Sequence, residues 1–473
     1  MARKIVPYLF KKTDEEQYLI KAVETANWLE TLSVDTENGK YWSRSPKLKG
    51  DELAYYPYYS PKGLYSGSAG VGEFYIRLYE ITKKAEYLEE AKKAADYIIA
   101  TNEGKKFYER FRENVGEGLD AFPGWGFGVY NGPAGEGLFI YSLYQHVKDP
   151  RYVEFIKNVA DTIIEVAYEA KGGLRLSNEG DVSSDDGLIL YLIKAYELTQ
   201  VEAYIDAAKK IADSISSETY EGASGGKYLL PIKLSADGFK ASGIVDSDEG
   251  EYHLPNFAHG TSGLGYVFAA LYKATKEEKY LQLAKDIATY IEGIAIVDED
   301  AALVPYLDNT VTGPVEEKYY LSTCHGPAGS SIVFKELYEI TGEEKYLDWV
   351  KRFARGTVNA GVPEKHSWGY WPSYSLCCGA PGVLEFFTEV YELTKEEEFL
   401  QYAIRTADVL VGDAYNIGNG LTRWVNAWTR SAQEDVDTYI GLYMGAAGCA
   451  ISLLRLYATQ KGIDITPIFE YTF

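Results

Sequence analysis

A repeat constrains the fold of this chain more than any other feature of its sequence. Seven times a glycine is followed nine residues later by a tyrosine, and successive copies lie 52 to 76 residues apart. These glycines are Gly70, Gly135, Gly187, Gly263, Gly329, Gly382 and Gly448. In six copies another glycine comes three residues earlier, and Ser184 takes that place in the third copy. A repeat of this period indicates one structural unit used seven times.

Each copy has the pattern of a helical hairpin. The Gly-x-x-Gly motif opens a segment that is apolar on almost every side, such as GVGEFYIRLYEIT at 70–82, which is typical of a buried helix. A short charged turn follows, and then an amphipathic segment such as YLEEAKKAADYIIA at 87–100. The stretch from Asp14 to Leu32 supplies one more amphipathic helix. The sequence therefore predicts seven inner and seven outer helices.

The nearly all-apolar inner helices favour a closed ring over an open solenoid, because a ring buries them on every side. We therefore predict an all-α fold, an α/α toroid of seven inner and seven outer helices. It is expected to be a single domain of residues 1–473, in which residues 1–60 form the N-terminal outer helix and its lead-in.

The connections between helices fall into two classes of very different length. Those from inner to outer helices are a few residues long, whereas those from outer to inner helices are long and rich in glycine, tyrosine and tryptophan. Long connections in a compact domain are usually functional, so we expect the site at the end of the barrel where inner helices begin. Their tryptophans either wall a cleft or pack the loops down, and include Trp125, Trp368, Trp371, Trp424 and Trp428.

Composition excludes several classes of function. The formal net charge is −23 and no basic stripe is present, which argues against nucleic-acid and anionic-membrane partners. No apolar run is long enough to span a bilayer, and the N-terminus has no secretory signal pattern, so we expect a cytoplasmic protein. Four cysteines in 473 residues are too few for a disulfide scaffold.

Most cysteines fall at one repeated position instead. The two residues before each Gly-x-x-Gly motif include three of the four cysteines and two of the five histidines. These five residues are His259, Cys324, His325, Cys377 and Cys378, in copies four to six. The N-termini of the inner helices converge there and favour anions such as thiolates.

Three interpretations of this cluster stay open. The three cysteines can bind zinc and leave one position open, as in catalytic sites. His325 can be a fourth ligand, which would make the zinc structural. Free cysteines can also be small buried hydrophobic residues, which is our expectation for Cys449. His259 either hydrogen-bonds a loop or acts as a proton donor or acceptor.

Three short motifs give the chain a family resemblance. They are Ala-His-Gly at 258–260, Cys-His-Gly at 324–326 and Cys-Cys-Gly at 377–379. With the seven repeats, they make the chain resemble a stand-alone member of the lanthionine synthetase C-like cyclase family over nearly its whole length. The resemblance implies a double α/α barrel and zinc bound by Cys324, Cys377 and Cys378. Because Cys378 replaces the more usual histidine, the centre would carry a charge of about −1 and make a substrate thiolate more nucleophilic.

The chain also departs from the family pattern. His325 stands where the family usually has tyrosine, Thr323 where it has tryptophan and Tyr320 where it has arginine. The family's acidic residue before the third repeat has its nearest match in Asp181, one residue out of register. The proton-transfer residues implied by the resemblance are therefore His259, His325 and Asp181.

The resemblance implies zinc-dependent addition of a cysteine thiol to a dehydroalanine or dehydrobutyrine, which forms a (methyl)lanthionine thioether. The expected partners are a peptide or small thiol substrate carrying dehydroamino acids, and a separate dehydratase because repeats fill the chain. Glutathione-like addition to dehydrated proteins is an alternative. An α/α-barrel carbohydrate-active enzyme and a non-catalytic, zinc-stabilised peptide-binding scaffold are two others.

Overall fold

The structure is a computed structural model that describes most of the chain. The described residues are 14–43, 61–114, 128–177, 181–222, 225–229, 251–310, 312–315, 318–427 and 430–466. Residues 1–13 and 44–60 of the predicted lead-in, together with Trp125 and Trp428, lie outside these ranges.

Helices dominate the described residues. In chain order they are α1 (Glu16–Glu30), α2 (Ser68–Thr82), α3 (Ala85–Ala100), α4 (Lys105–Asn114), α5 (Pro133–His146), α6 (Pro150–Val166), α7 (Asp185–Thr199), α8 (Glu202–Ser216), α9 (Thr261–Thr275), α10 (Glu278–Ile294), α11 (Pro327–Thr341), α12 (Glu344–Asn359), α13 (Ala380–Thr394), α14 (Glu397–Gly412) and α15 (Ala446–Lys461). The odd-numbered helices from α5 to α15, with α2, are the predicted inner helices. Each begins one residue after the first position of its Gly-x-x-Gly motif or its serine variant.

The inner helices close into a ring. Each packs against the next one along the chain, and α15 packs against α2. The outer helices are α1, α3, α6, α8, α10, α12 and α14, and α1 packs beside the last inner helix, α15. The prediction of an α/α toroid with seven inner and seven outer helices is therefore confirmed within the described residues. None of these helices has the length and apolar character needed to cross a bilayer.

Inner and outer helices of one pair run in opposite directions, because only short turns join them, such as 83–84 between α2 and α3. The inner helices therefore begin at the same end of the barrel at which the outer helices stop. All the long connections meet at that end, where the sequence predicted the site.

The long connections carry short strands that the sequence analysis did not predict. They are β1 (Ser33–Thr36), β2 (Gly39–Trp42), β3 (Tyr168–Ala170), β4 (Gly173–Arg175), β5 (Thr219–Glu221), β6 (Lys227–Leu229), β7 (Tyr252–His253), β8 (Ile296–Asp298), β9 (Ala301–Leu303), β10 (Asp308–Asn309), β11 (Gly313–Pro314), β12 (Tyr415–Gly418), β13 (Leu421–Arg423), β14 (Asn426–Ala427) and β15 (Val436–Asp437). β7, β10 and β11 form one antiparallel sheet, and the others pair as hairpins. Five hairpins follow outer helices, and the second strand of each packs on a neighbouring outer helix.

The inner helices also bury pairs of oppositely charged residues. On α2, Arg77 lies 3.2 Å from Glu73, and Arg455 of α15 lies 2.7 Å from Glu385 of α13. Burial raises the pKa of Glu73 to about 7, although Arg77 and a hydrogen bond from Ser142 oppose this shift. The inner layer is therefore less uniformly apolar than its sequence pattern suggested.

Candidate metal centre

A belt of backbone hydrogen bonds holds the starts of the inner helices together. We name the residue two positions before each Gly-x-x-Gly motif the slot residue. Five successive N–H···O bonds of 2.8 to 3.2 Å link six slot residues, in the order Ala258, Cys324, Cys377, Tyr443, Tyr65 and Tyr130. Each slot residue donates to the next one in this order. The belt fixes the distance between Cys324 and Cys377, whose backbones are bonded directly at 3.0 Å.

The glycines of the motif allow this close approach. A Cβ atom on Gly329 would overlap the carbonyl oxygen of Thr323, and one on Gly326 would crowd the carbonyl oxygen of Tyr320. Any larger residue would push the start of α11 away from the turn that carries Cys324. The motif is therefore structural, and the candidate chemistry lies in the two residues before it, which are the slot residue and the residue that follows it.

The belt brings three sulfur atoms together. The Sγ atoms of Cys324 and Cys378 lie 3.5 Å apart, and those of Cys378 and Cys377 lie 3.3 Å apart. Tetrahedral zinc with Zn–S bonds of 2.3 Å requires S···S separations of about 3.8 Å, so small side-chain adjustments would fit the three thiolates to one ion. All three cysteines are free and form a cluster of metal-capable side chains whose ligand atoms lie within 4.8 Å of one another.

The three thiols do not ionise alike. Hydrogen bonds from Cys324 and Cys378 hold the pKa of Cys377 well below its usual range. Burial raises the pKa of Cys324. The hydrogen bond with Cys324 lowers the pKa of Cys378, but its hydrogen bond with Cys377 and burial outweigh that effect and raise it. Burial and the contacts among the sulfurs therefore oppose ionisation of all three thiols together.

His325 lies beside this cluster but is not a member of it. Its ring packs 5.4 Å from the His259 ring and 5.3 Å from the Tyr306 ring, measured between centroids. Its Nδ1 atom is buried and has no hydrogen-bond partner among the described residues. Burial, His259 and Arg430 lower the pKa of His325 well below its usual range. The closed four-ligand site needs a nitrogen of His325 among the sulfurs, and this arrangement does not supply one.

His259 and Asp181 come together across two copies of the repeat. Nδ1 of His259 lies 3.4 Å from Oδ2 of the fully buried Asp181 and 3.1 Å from Oγ of Ser183. Asp181 also accepts hydrogen bonds from the N–H and the hydroxyl of Ser183. The neighbouring Asp185 instead accepts the backbone N–H groups of residues 176 and 177. Asp181 is thus the carboxylate that orients His259.

The cysteines and His259 line one cavity of about 160 Å³. Tyr65, Tyr130 and Tyr443 also line it, and their ring centroids lie 5.0 to 5.8 Å apart. The repeat alignment already showed these tyrosines at the slot positions of three neighbouring copies, but the sequence analysis did not predict that their rings would pack together.

None of the three loop tryptophans that the structure describes, Trp368, Trp371 and Trp424, is among the residues that line this cavity. Trp371 is buried beside Cys324, and its Nε1 donates to the carbonyl of Ala427 at 3.1 Å. Trp368 lies under the guanidinium of Arg430, 3.8 Å from its ring centroid. Trp424 instead donates to the carbonyl of Leu410 at 2.8 Å and only packs its loop onto α14. Arg430 had no sequence signal, because nothing in the repeat places it near the cysteines.

Cys449 is apart from the centre. It is fully buried in α15, and its Sγ contacts the carbonyl oxygen of Tyr374 at 3.3 Å. This is the core position that its sequence suggested.

Known proteins resemble this chain in sequence. A family model described as lanthionine synthetase C-like protein matches residues 59–465. The lacticin 481/lactococcin biosynthesis protein LcnDR2 of Lactococcus lactis subsp. lactis is 21% identical in an alignment of 474 positions that covers 97% of this chain. The chain spans 42% of the length of that relative.

Solved structures resemble the chain in fold. Nisin cyclase has a TM-score of 0.60 and 16% identity, covering 88% of this chain and 92% of its own. Cellobiose 2-epimerase from Bacillus thermoamylovorans B4167 has a TM-score of 0.50 and 14% identity, covering 93% of this chain and 98% of its own. At these identities, both likenesses describe the helical barrel alone.

Proposed function

The chain belongs to the lanthionine synthetase C-like family, and from this premise we propose that it is a zinc-dependent cyclase. It adds a cysteine thiol to a dehydroalanine or dehydrobutyrine of a peptide and forms a (methyl)lanthionine thioether. A dehydratase activity supplies the dehydrated peptide. The reduced cysteines suit a cytoplasmic location.

One observation supports this proposal most. Three cysteine sulfurs and a carboxylate-oriented histidine line the same small cavity at the mouth of the barrel. Thiol addition needs these two functions, because a thiolate has to be formed and a carbon has to be protonated. Cys324, Cys377 and Cys378 would hold the zinc, and His259 would handle the proton.

A zinc ion held by these cysteines would supply Lewis-acid stabilisation of a thiolate at neutral pH. The addition forms one C–S bond at the β-carbon and turns the C=C double bond into an enolate. The proton lost by the thiol is balanced by one added to the α-carbon, so no oxidant or reductant is needed.

We assign that proton to His259. Asp181 and Ser183 hold its Nδ1, which directs the opposite nitrogen, Nε2, away from them for proton transfer. His325 seldom carries a proton to donate near pH 7, because burial lowers the pKa of its ring. We assign His325 to the wall of the cavity.

A carbohydrate-active enzyme has less support. Glycoside hydrolysis uses a pair of carboxylic acids that flank the scissile bond. Among the described residues that line the cavity there is no aspartate or glutamate. The likeness to an epimerase concerns the fold. The reactive groups that line this cavity are cysteine thiols and histidine imidazoles.

The proposal is tested with zinc-loaded protein and a synthetic peptide that holds one dehydroalanine and one cysteine. Cyclisation leaves the mass unchanged, so remaining thiol is labelled with N-ethylmaleimide and counted by mass spectrometry. We expect the parent to protect the peptide from labelling, and Cys449→Ala to do the same as a matched control. A parent without stoichiometric zinc, or a zinc-loaded parent that leaves labelling unchanged, contradicts the cyclase.

A second assay distinguishes the cyclase from an enzyme that adds a small thiol such as glutathione to dehydrated proteins. The peptide then carries dehydroalanine without cysteine, and glutathione is added. A mass increase by one glutathione with this substrate, and no protection of the cysteine peptide, would favour thiol addition to dehydrated proteins. The non-catalytic scaffold predicts stoichiometric zinc and no product in either arm.

A further inference from the structure

We propose that Arg430 binds a carboxylate of the peptide substrate, and that it thereby favours peptides with an acidic group within about three residues of the reacting cysteine. The inference rests on the proposed function, because it names a feature of the substrate of that same site. It adds a binding residue that neither the repeat nor the three short motifs assign. The ligand class is the planar carboxylate of an aspartate, a glutamate or a peptide C-terminus.

The connection between β14 and β15 carries Arg430, and its base is fixed beside the cysteines. The carbonyl of Ala427, at the end of β14, accepts the Nε1–H of Trp371 at 3.1 Å. Trp371 is itself buried in the cluster that includes Cys324. Further along the connection, the side chain of Gln433 donates to the carbonyl of Arg430 at 3.2 Å. These contacts hold the connection against the part of the mouth that contains the cysteines.

Three aromatic rings surround the guanidinium of Arg430. Its central carbon lies 3.8 Å from the ring centroid of Trp368, 5.4 Å from that of Tyr320 and 5.6 Å from that of Tyr306. Aromatic faces attract a guanidinium, whose N–H donors point outward from the edge of its plane. The rings therefore fix the cation and leave N–H donors for a planar anion. We name the guanidinium and these three rings the arginine cage.

Arg430 has no carboxylate partner among the described residues. Arg175 and Arg455, by contrast, each lie 2.7 Å from a glutamate oxygen. Glu434 and Asp435 follow Arg430 closely in the sequence, yet no carboxylate of the described ranges lies within the 4.0 Å of a salt bridge to it. Arg430 is half-buried, and a half-buried cation attracts an anion more strongly than an exposed one, because water and salt screen it less.

The arginine cage adjoins the proposed metal centre. Tyr320 lines the cavity together with Cys324 and Cys378, and the same tyrosine ring contacts Arg430. His325, which also lines the cavity, has its ring 5.4 Å from that of Tyr320. Two steps of 5.4 Å thus lead from the guanidinium to the cavity lining. An extended peptide advances about 3.3–3.6 Å per residue, so this separation corresponds to about three residues.

The charge of the chain makes a local cation necessary for an acidic peptide. The formal net charge is −23, so the long-range potential of the protein does not attract carboxylates. A carboxylate near the cavity would also face a three-thiolate zinc centre with a charge of about −1. A guanidinium beside this centre would offset the repulsion and bind the carboxylate through two parallel hydrogen bonds.

The test measures peptide binding to the zinc-loaded full chain by calorimetry. The peptides are made unreactive by alanine in place of dehydroalanine, and their C-termini are amidated. One holds a glutamate two residues from its cysteine, and the other holds a glutamine there. We expect the parent to bind the glutamate peptide about tenfold more tightly at low salt, because a bidentate arginine–carboxylate contact is charge-assisted.

Two variants at position 430 and one matched control interpret this preference. Arg430→Gln should bring the two peptides to within about twofold of each other, and Arg430→Lys should fall between, because lysine keeps the charge without the planar fork. Arg423→Gln is the control and should keep the full preference. Arg423 also lies near an aromatic ring, 5.5 Å from the centroid of Tyr415, but neither residue is among those lining the cavity.

A third peptide identifies the source of the carboxylate. It holds the glutamine and ends in a free C-terminal carboxylate in place of the amide. Tighter binding of this peptide than of its amidated form, lost in Arg430→Gln, would assign the recognised group to the C-terminus. Binding equal to that of the amidated form, with the glutamate preference intact, assigns it to an acidic side chain.

The outcomes separate this inference from the proposed function. The same peptides with dehydroalanine report cyclisation. A parent that cyclises them but binds acidic and neutral peptides alike, or a preference that survives in Arg430→Gln, overturns the inference alone. A parent that prefers acidic peptides through Arg430 but cyclises none contradicts the cyclase and keeps the carboxylate site.

Discussion

Two halves of the backbone belt use the same geometry for different purposes. In copies five and six the slot residues are Cys324 and Cys377, and in copies seven, one and two they are Tyr443, Tyr65 and Tyr130. The N–H···O bonds of the belt continue across both halves at 2.8 to 3.2 Å. The repeat therefore builds the frame, and the side chain placed at each slot decides what that part of the frame does.

The difference in size between these side chains shapes the cavity. Three tyrosine rings pack against one another and fill one side of the mouth. Cysteines are small, so the other side has room for a metal ion and a substrate sulfur. A ring with tyrosine at every slot would close the mouth, and a ring with cysteine at every slot would lack a wall.

The largest expected effect is the loss of metal from the cysteine half. Cys324→Ala removes one of three clustered sulfurs, so stoichiometric zinc binding should be lost and cyclisation should fall to background. Zinc content is measured after dialysis by mass spectrometry of the metal. Tyr130→Phe, in the tyrosine half, should keep its zinc, and equal zinc content in Cys324→Ala and the parent would contradict the assignment.

A large effect on rate without loss of metal is expected at His259. Replacing the proposed proton donor in His259→Asn should slow the addition by about 10²- to 10⁴-fold, the usual contribution of general acid–base catalysis. Zinc content should match that of the parent, because His259 is outside the metal-capable cluster. Product formed at the parental rate would assign the proton to another group.

A moderate effect on stability is expected from glycine-to-alanine variants in both halves of the belt, and only the variant in the cysteine half should also weaken zinc binding. A Cβ atom at Gly329 would overlap the carbonyl of Thr323, and one at Gly135 would overlap that of Val129. We expect each alanine variant to lose about 1–3 kcal/mol in the free energy of unfolding, measured with denaturant. Gly329→Ala should also weaken zinc binding, because the strain falls beside Cys324, whereas Gly135→Ala should not.

Gly412→Ala serves as the control for both glycine variants. A Cβ atom there meets no atom within 4 Å. Its stability should stay within about 1 kcal/mol of the parent. Zinc binding that weakens equally in Gly135→Ala and Gly329→Ala would show that the two halves are not independent.

The smallest expected effect is a pH dependence in the tyrosine half. Burial raises the pKa of Glu73 to about 7, above its ordinary value of 4.5. Because the folded state holds this proton more tightly than the unfolded state, protonation of Glu73 contributes to the free energy of unfolding. This contribution is fully present below pH 4.5 and is lost as pH rises through about 7. Glu73→Gln should flatten this fall in the free energy of unfolding between pH 5 and 8, while the exposed Glu86→Gln should leave it unchanged. Identical pH profiles for Glu73→Gln and the parent would contradict the buried, neutral carboxyl.

The repeat made much of the fold predictable. The position of each Gly-x-x-Gly motif predicted each inner-helix start, and the neighbouring copies placed Cys324 beside Cys377 and Cys378. These inferences worked because helix starts and repeat register depend on local sequence. The hairpins were missed, because strands of two to four residues show too little alternation to be separated from loops.

Other parts of the site depend on contacts that sequence spacing does not encode. Arg430 reaches Tyr320 from a connection 110 residues further along the chain, outside the repeated unit. Asp181 lies one residue out of register, and it meets His259 only because the turn before α7 folds back on itself, with Ser184 N–H bonded to the carbonyl of Asp181. Trp424, predicted from composition as either wall or packing, packs against α14.

X-ray absorption at the zinc edge tests the central claim most directly. The zinc-loaded parent should show three sulfur neighbours at about 2.3 Å and one lighter oxygen or nitrogen neighbour. His325→Ala should give the same spectrum, because we propose an open site in which His325 is not a ligand. Absence of stoichiometric zinc, fewer than three sulfurs, or an imidazole signal that disappears in His325→Ala would contradict an open three-cysteine centre.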